Sequence, residues 1–146
     1  MSTTRYGLIL LLFLFSGCIQ IDLLPGGGIL KETILSGDGE EKVLLIDISG
    51  MLTTAKSSGI VDEPSLPARI KEELTKAEED DDVKAIVLRI NTPGGSVTAS
   101  DLVYHELKAF KKKRPMPVIA AIMDLGTSGG YYIAMAADHI LAHPST

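Results

Sequence analysis

The stretch Pro117–Ala137, PVIAAIMDLGTSGGYYIAMAA, decides the fold of this chain. It begins with an apolar run, Val118–Met123, that is typical of a buried strand. The run ends in a turn that carries Ser128, and Tyr131–Ala137 then indicates a helix. A serine on such a turn lies at the end of a sheet. Its backbone N–H is near the positive end of the helix dipole, which stabilises negative charge. The stretch therefore predicts a strand, a turn with an exposed serine, and a helix.

The rest of the chain alternates strands and helices in the same way. The predicted elements are a strand at Lys42–Ser49, a helix from Ser65 to about Glu79, a strand at Val83–Ile90, a helix from Ser96 to Arg114 and a last strand that begins at His139. This alternation favours an α/β fold with a parallel sheet and right-handed β-α crossovers. The strand Val83–Ile90 is apolar on both faces apart from Lys84 and Arg89, which predicts that helices cover it.

Two glycine-rich turns, Pro93–Ser96 and Gly126–Gly130, each follow a predicted strand. Ligands of open parallel sheets bind beyond the carboxyl ends of the strands. We therefore expect both turns at the same edge of the sheet, which is the edge where a ligand binds.

The chemistry that these turns could support is acyl transfer, which needs a nucleophile and backbone donors for the oxyanion. Ser128 could be the nucleophile, and one donor could be its own N–H or that of Gly129. Gly94 or Gly95 could supply a second donor, and each donor contributes about 3 kcal/mol to the transition state. Taken alone, Ser128 fits a structural helix cap better than a nucleophile, and P-G-G is a common turn.

The composition excludes some classes of function. The chain has 146 residues, enough for one domain, with a formal net charge of −5 and 5% aromatic residues. No basic stripe or stacking platform suits a nucleic acid. The acidic run Glu78–Asp82 lacks the alternating ligands and the glycine of a calcium loop, so we expect a solvated turn and predict no metal and no cofactor. The basic run Lys111–Arg114 is likewise expected to be a solvated helix end.

The N-terminal residues have the features of an export signal. The apolar run Leu8–Phe15 is too short to span a bilayer as a helix. It leads to Cys18, the only cysteine, in a segment LFSGC that resembles the lipobox of bacterial lipoproteins, where cleavage before the cysteine leaves it lipidated. The predicted organisation is a signal peptide at 1–17, a glycine-rich tether at 18–41 and the folded domain at 42–146. The alternative is an ordinary signal peptide or an uncleaved anchor.

Two segments carry a family resemblance: NTPGGSVTASDLVYHEL from residue 91 and PVIAAIMDLGTSGGYYIAMAADHILAHPST from residue 117. They closely resemble the signal peptide peptidases of the protease IV type, which are membrane-associated bacterial serine peptidases of the Clp protease/crotonase superfamily. The resemblance covers about Val43–Thr146 and implies the fold of that superfamily. It also implies that Ser128 is the nucleophile and that Gly95 faces the oxyanion. Thr127 stands where family members often have alanine.

The general base of the family is a lysine whose pKa is depressed by an apolar setting. In short members of the family this lysine lies several tens of residues beyond the point where this chain ends. We therefore expect an N-terminal fragment that carries the nucleophile without its base. His139 and His143, near Asp138, would offer a Ser-His-Asp set, but adjacent strand residues point to opposite faces, so structural or solvated histidines are expected.

The predicted function is that of a membrane-associated serine endopeptidase that degrades cleaved signal peptides or similar hydrophobic peptides. Cys18 or a signal anchor would hold it at the outer face of the inner membrane, and the resemblance implies a homo-oligomer. One alternative is a truncated, inactive homologue that acts as a structural or interaction module. Another is a crotonase-type acyl-CoA enzyme, against which the export signal and Ser128 both argue.

Overall fold

The computed structural model describes residues 30–56 and 64–146. The predicted signal peptide and Cys18 lie outside these residues. The elements are β1 (Lys42–Ser49), α1 (Leu66–Glu79), β2 (Val83–Thr92), α2 (Val97–Lys113), β3 (Val118–Gly126), α3 (Gly129–Ala134) and β4 (His139–Ala142). Strands and helices therefore alternate along the chain, as the sequence predicts.

The four strands form one parallel sheet in the order β1-β2-β3-β4. The register aligns Ile46 with Leu88, Leu88 with Ala120, and Ala120 with Ile140. Sequential strands are thus neighbours in space, and each of the three crossovers contains one helix. The predicted α/β class with a parallel sheet is confirmed.

The hydrophobic core lies between one face of the sheet and the helices. Alternate residues of the three long strands are buried on that face, because successive side chains of a strand point to opposite sides. They are Ile46, Ile48, Ile86, Leu88, Ile90, Val118, Ala120 and Ile122. Helix α1 adds Ile70, Leu74 and Ala77.

The opposite face of the sheet is covered by none of the residues that the structure describes. Val43 is 64% exposed and Met123 is 49% exposed, while Leu45, Val87 and Ile119 are half-buried. The prediction that helices cover both faces of the second strand is therefore not met within residues 30–56 and 64–146. All three helices pack on the other face. On the uncovered face, neighbouring side chains contact one another, as Asp47 and Arg89 do.

Helix α2 differs from the predicted pattern at one residue. Its buried stripe runs through Ala99, Val103, Leu107 and Phe110, at helical spacing. The sequence pattern, in which Leu102 follows the same apolar spacing, predicts that Leu102 lies on this face too, yet it is 45% exposed. The reason is geometric: neighbouring residues of a helix are about 100° apart around its axis, so Leu102 turns away from Val103.

The amino edge of the sheet is held by ion pairs. Lys42 contacts Asp80 at 2.9 Å, Lys113 contacts Glu78 at 3.0 Å, and Arg114 contacts Asp81 at 3.2 Å. Three of the five acids of the run Glu78–Asp82 are therefore paired with cations, while Glu79, Asp81 and Asp82 are exposed to solvent, as expected for a solvated turn. No group of side chains suited to a metal ion occurs among the described residues.

Lys111 also departs from the prediction of a solvated helix end. Its side chain is only 18% exposed and contacts Asp138 at 2.6 Å and the carbonyl of Ala136 at 3.1 Å. Asp138 in turn accepts the backbone N–H of Val118 at 2.8 Å. The pKa of Asp138 is lowered, first by the hydrogen bond from Lys111 and then by that N–H. Lys111 therefore joins α2 to the starts of β3 and β4.

Within the described part of the chain, no helix is long and apolar enough to cross a bilayer.

Candidate active site

Ser128 occupies the sharp turn between β3 and α3. Its backbone angles are φ 50° and ψ −120°, and it is the only residue other than glycine with positive φ among those described. Such a conformation costs on the order of 1–3 kcal/mol and persists only where surrounding contacts impose it. The side chain is exposed and makes no capping hydrogen bond, although Ser128 stands at the N-cap position of α3. The structure therefore gives the hydroxyl no capping role.

Backbone hydrogen bonds on both sides fix the turn around Ser128. The N–H of Thr127 donates to the carbonyl of Thr92 at 3.2 Å, which ties the turn to the end of β2. The N–H of Gly130 donates to the carbonyl of Thr127 at 2.9 Å, and the N–H of Tyr132 to the carbonyl of Ser128 at 3.1 Å. These bonds impose the strained conformation that the local sequence alone would not adopt.

The second glycine-rich turn packs directly against Ser128. A Cβ atom on Gly94 would lie 2.8 Å from the Cβ of Ser128, 3.1 Å from its Oγ and 2.8 Å from the nitrogen of Gly129. Gly94 also has φ 96°, a region that L side chains rarely adopt. Only glycine fits here, so the two turns meet backbone to backbone. The prediction that they share one edge of the sheet is confirmed.

Gly95 packs on its other side against a segment that follows β1. Leu52 pairs with it in a parallel bridge, with bonds of 2.9 Å from the N–H of Leu52 to the carbonyl of Gly94 and 2.8 Å from the N–H of Ser96 to the carbonyl of Leu52. A Cβ atom on Gly95 would lie 2.2 Å from the oxygen of Leu52. This pairing holds the turn extended, and Leu52 is a site-supporting residue that the sequence pattern did not single out.

Three backbone donors at these turns have no hydrogen-bond partner within the described residues. The N–H of Gly94 donates to the hydroxyl of Thr92 at 3.0 Å. By contrast, the N–H groups of Gly95, Ser128 and Gly129 have no partner in that part of the chain. Unpaired N–H groups beside a serine hydroxyl can stabilise an oxyanion. The geometry is thus compatible with Gly95 and Gly129 as donors, and their assignment stays a prediction.

No general base contacts Ser128 among the residues that are described, because its hydroxyl forms no hydrogen bond there with a side chain. His105 contacts Asp101 at 3.4 Å, and the Nδ1 of His143 lies 2.7 Å from the hydroxyl of Ser145. His139 is exposed at the start of β4, at the edge of the sheet opposite to Ser128.

A small aromatic cluster flanks the turn that carries Ser128. The hydroxyl of Tyr132 donates to Asp101 at 2.9 Å, and its ring stacks on that of Tyr104 with centroids 4.7 Å apart. The hydrogen bond to Asp101 is the main reason that the pKa of Tyr132 is raised. These contacts connect α3 to α2, and no local sequence pattern predicts them.

Exposed apolar side chains lie next to the two turns. Val97, directly after the Pro93–Ser96 turn, is 84% exposed, while Tyr131 and Met135 on the other side are 52% and 58% exposed. Two surface depressions, of about 450 and 400 Å³, lie away from Ser128, at the amino edge near Asp138 and beside the carboxyl ends of β3 and β4. Ser128 therefore lies on an open surface with apolar neighbours.

Comparison with known families and proteins supports the sequence resemblance. Residues 110–146 match the model of Peptidase family S49. The chain is 33% identical over 129 residues to the chloroplastic serine protease SPPA of Arabidopsis thaliana, with 86% of this chain and 18% of that protein covered. It is 38% identical over 106 residues to protease 4 of Salmonella typhi, with 68% of this chain and 17% of that protein covered. The chain thus spans about a fifth of the length of these relatives.

Solved structures give the same assignment for the fold. Two variants of the 1510-N membrane-bound stomatin-specific protease superpose with TM-scores of 0.56 and 0.54 at 24% and 26% identity. They cover 74% and 73% of this chain, and the chain covers 46% and 43% of them. The Clp protease/crotonase-like fold is confirmed, and so is the resemblance to the peptidases of the protease IV type.

Proposed function

We propose that this chain, a relative of the S49 peptidases of the protease IV type, carries the nucleophile and oxyanion hole of a serine endopeptidase. Ser128 is the nucleophile, and the N–H groups of Gly95 and Gly129 receive the oxyanion. The observation that carries the proposal is the strained backbone of Ser128, whose hydroxyl makes no cap and lies against Gly94. Strain of this kind clusters at functional sites.

The proposed reaction begins when the Oγ of Ser128 attacks the carbonyl carbon of a peptide bond. The Oγ–C bond forms while the carbonyl electrons move to oxygen, and a base takes the hydroxyl proton. Two unpaired N–H groups at fixed positions stabilise the resulting negative charge better than they stabilise the neutral carbonyl, which lowers the barrier. The protonated base then gives the hydroxyl proton to the leaving nitrogen as the C–N bond breaks, which releases the amine and leaves an acyl-serine that water hydrolyses.

The base in this proposal is a lysine that lies beyond Thr146. The two solved relatives support the pairing, since one is a serine-to-alanine variant and the other a lysine-to-alanine variant with a substrate peptide bound. A lysine must be neutral to accept the serine proton, so the proposal needs an apolar setting that lowers its pKa. Lys111 is not this base, because it is bound to Asp138 at the amino end of the sheet.

The proposed substrates are cleaved signal peptides and similar hydrophobic peptides. Support comes from the exposed apolar side chains of Val97, Tyr131 and Met135 beside the two turns. An extended peptide lying along this surface would pair with the backbone of the turn, and its apolar side chains would contact these residues. The net charge of −5 disfavours acidic peptides.

The proposed location is the outer face of the inner membrane, with 1–17 as a signal peptide and a lipid on Cys18. Firm anchoring needs two or more acyl chains, which a bacterial lipoprotein cysteine would carry. The proposal also includes a homo-oligomer. If Cys18→Ala leaves the full-length product in the detergent phase unchanged, the lipid anchor is wrong.

A second candidate is an inactive homologue that acts as a structural or interaction module. It is favoured by one observation, that the described residues bring no base to Ser128. The DNA after Thr146 distinguishes the two: an open frame with a lysine motif favours the enzyme, and a stop codon favours the module.

The decisive experiment measures cleavage of a fluorogenic hydrophobic peptide by the full-length gene product that contains this chain. Ser128→Ala should lower kcat by about 10⁴-fold or more, because no other group replaces the nucleophile. Ser36→Ala, at an exposed position before β1, is the matched control and should retain full activity. Activity that survives Ser128→Ala rules the proposal out.

A further inference from the structure

Thr92 is a fully buried polar residue at the end of β2, and its contacts reach every segment of the candidate site. It is 0% exposed, although the strand residues around it in the core are apolar. A hydroxyl buried in such a place is costly unless it is hydrogen-bonded, so its partners indicate what it does.

The hydroxyl and the carbonyl of Thr92 bond to different segments of the chain. The hydroxyl donates to the carbonyl of Gly50, at the end of β1, and accepts the N–H of Gly94 at 3.0 Å. The carbonyl accepts the N–H of Thr127 at 3.2 Å, from the turn that carries Ser128. Thr92 is thus bonded to three segments: the one before Leu52, the P-G-G turn and the turn that carries Ser128.

The methyl group of Thr92 has a partner as well. It lies 2.6 Å from the position that a Cβ atom on Gly130 would take, so it packs closely on the first turn of α3. Threonine alone among the common residues offers a hydroxyl and a methyl on the same Cβ. Serine would keep the hydrogen bonds without the methyl, and valine would keep the shape without the hydrogen bonds.

The turn that carries Ser128 has a second link to the P-G-G turn. The hydroxyl of Thr127 donates to the carbonyl of Pro93 at 3.0 Å, while its N–H is bonded to Thr92. The peptide units on both sides of Pro93 are therefore attached to the Ser128 turn. Thr127 is exposed, so this link can be removed without opening the core.

The consequence concerns which N–H of the P-G-G turn remains available. The hydroxyl of Thr92 occupies the N–H of Gly94, and the N–H of Gly95 is left without a partner among the described residues. We propose that Thr92, assisted by Thr127, is a positioning residue that fixes the Gly95 N–H relative to Ser128. This inference rests on the proposed function, because it assigns Gly95 as the oxyanion donor.

The kinetic test compares two variants in the full-length product. Thr92→Val should lower kcat by about 10- to 100-fold and leave KM within about threefold, because a displaced donor weakens transition-state binding more than substrate binding. Thr92→Ser should retain most of the wild-type kcat. A merely structural role would instead lower the folded fraction and leave kcat per folded molecule unchanged.

Hydrogen exchange tests the same inference without relying on activity. The Gly94 amide should exchange at least about tenfold faster in Thr92→Val than in wild type or Thr92→Ser, since it loses its acceptor. The Gly95 amide is the internal control, because it has no hydrogen-bond partner among the described residues that the substitution could remove. Equal Gly94 exchange in all three proteins overturns the inference.

If Thr92→Val does not melt cooperatively, Thr127→Val carries the test. It should lower kcat about three- to tenfold at an unchanged melting temperature, and Thr127→Ser should restore kcat. An unchanged kcat in Thr127→Val then overturns the inference. The outcomes also separate it from the proposed function: activity in Ser128→Ala overturns the function, whereas loss there with wild-type kcat in Thr92→Val and Thr127→Val overturns only the positioning role.

Discussion

The two ends of the parallel sheet are built in different ways. At the amino end, charged side chains meet in pairs, such as Lys42 with Asp80 at 2.9 Å and Lys111 with Asp138 at 2.6 Å. At the carboxyl end, the turns Pro93–Ser96 and Gly126–Gly130 contain no charged residue, and backbone and hydroxyl groups make the contacts. The charged groups at the amino end are paired with one another, whereas the N–H donors beside Ser128 have no partner in the part of the chain that the structure describes.

That contrast separates groups that stabilise the fold from groups that are available to a ligand, which the sequence pattern alone does not distinguish. Buried or paired polar groups stabilise the fold, whereas unpaired donors beside a strained residue are available to a ligand. Changes at the carboxyl end should therefore reduce catalysis in the full-length product, and changes at the amino end should reduce stability.

After Ser128→Ala, the largest effect is expected from Gly95→Ala. The new Cβ atom would lie 2.2 Å from the oxygen of Leu52, so the turn must separate from that segment and the N–H of residue 95 must move. We expect kcat to fall by about 10²- to 10³-fold, as when an oxyanion donor is lost. Gly39→Ala is the control, because a Cβ there meets nothing within 4 Å. Comparable activity in the two variants would remove Gly95 from the site.

A change at the amino end should have the opposite character. Asp138→Ala removes the partner of Lys111 and the acceptor of the N–H of Val118, which is buried. We expect the free energy of unfolding to fall by about 2 kcal/mol, the usual cost of leaving such groups unpaired. Urea denaturation measures it, with Asp38→Ala as an exposed control. A fall in kcat per folded molecule would contradict the assignment of stability to the amino end and catalysis to the carboxyl end.

The ion pairs at the amino end of the sheet should make the fold sensitive to acid. Hydrogen bonds from Lys42 and Lys111 hold the pKa values of Asp80 and Asp138 below the ordinary carboxyl value. A lowered folded-state pKa stabilises the native state above the unfolded pKa, and this contribution is lost as pH falls through the folded value. The free energy of unfolding should therefore drop below about pH 4.

Asp138→Asn tests this pH dependence. The amide keeps an oxygen that can accept the N–H of Val118 but cannot ionise, so the slope below about pH 4 should be shallower than in wild type. Urea titrations at a series of pH values give the slope. Identical slopes in the two proteins would assign the acid sensitivity to other carboxylates.

The smallest effect is expected on the open face of the sheet. Asp47 and Arg89 lie side by side at 2.7 Å, but their side chains are 39% and 47% exposed. A double-mutant cycle with alanine at both positions should give a coupling of about 0.5 kcal/mol or less, and salt should reduce it further. A coupling of several times that size would show that this face is shielded from solvent in solution.

The sequence allowed much of the fold to be predicted, because apolar periodicity and turn residues are local signals. β1 has the predicted bounds, Lys42–Ser49, and Ser128 lies in the predicted strand–turn–helix unit. Family resemblance then pointed to Gly95. What could not be predicted are contacts between residues distant in the chain. The pairing of Leu52 with Gly95 depends on the register of β1 against β2, which no local pattern records.

Thr92 and Lys111 were missed for a related reason. A threonine in a turn motif and a lysine in a basic helix end are both ordinary at those places, so only their partners distinguish them. Those partners, Gly50 for Thr92 and Asp138 for Lys111, are 42 and 27 residues away in sequence. Parallel sheets produce such contacts routinely, because each crossover separates neighbours in space by a whole helix.

The strand order β1-β2-β3-β4 has a consequence for how the chain acquires its structure. Each new strand adds beside the one made just before it, so no strand must wait for a later segment to find its place. During synthesis, which proceeds from the amino end, successive strand–helix units can dock in turn on a growing edge. The contacts between Thr92, Gly94 and the Ser128 turn form only when β3 arrives. Within the described part of the chain, the geometry around Ser128 would then assemble after β1 and β2 are in place.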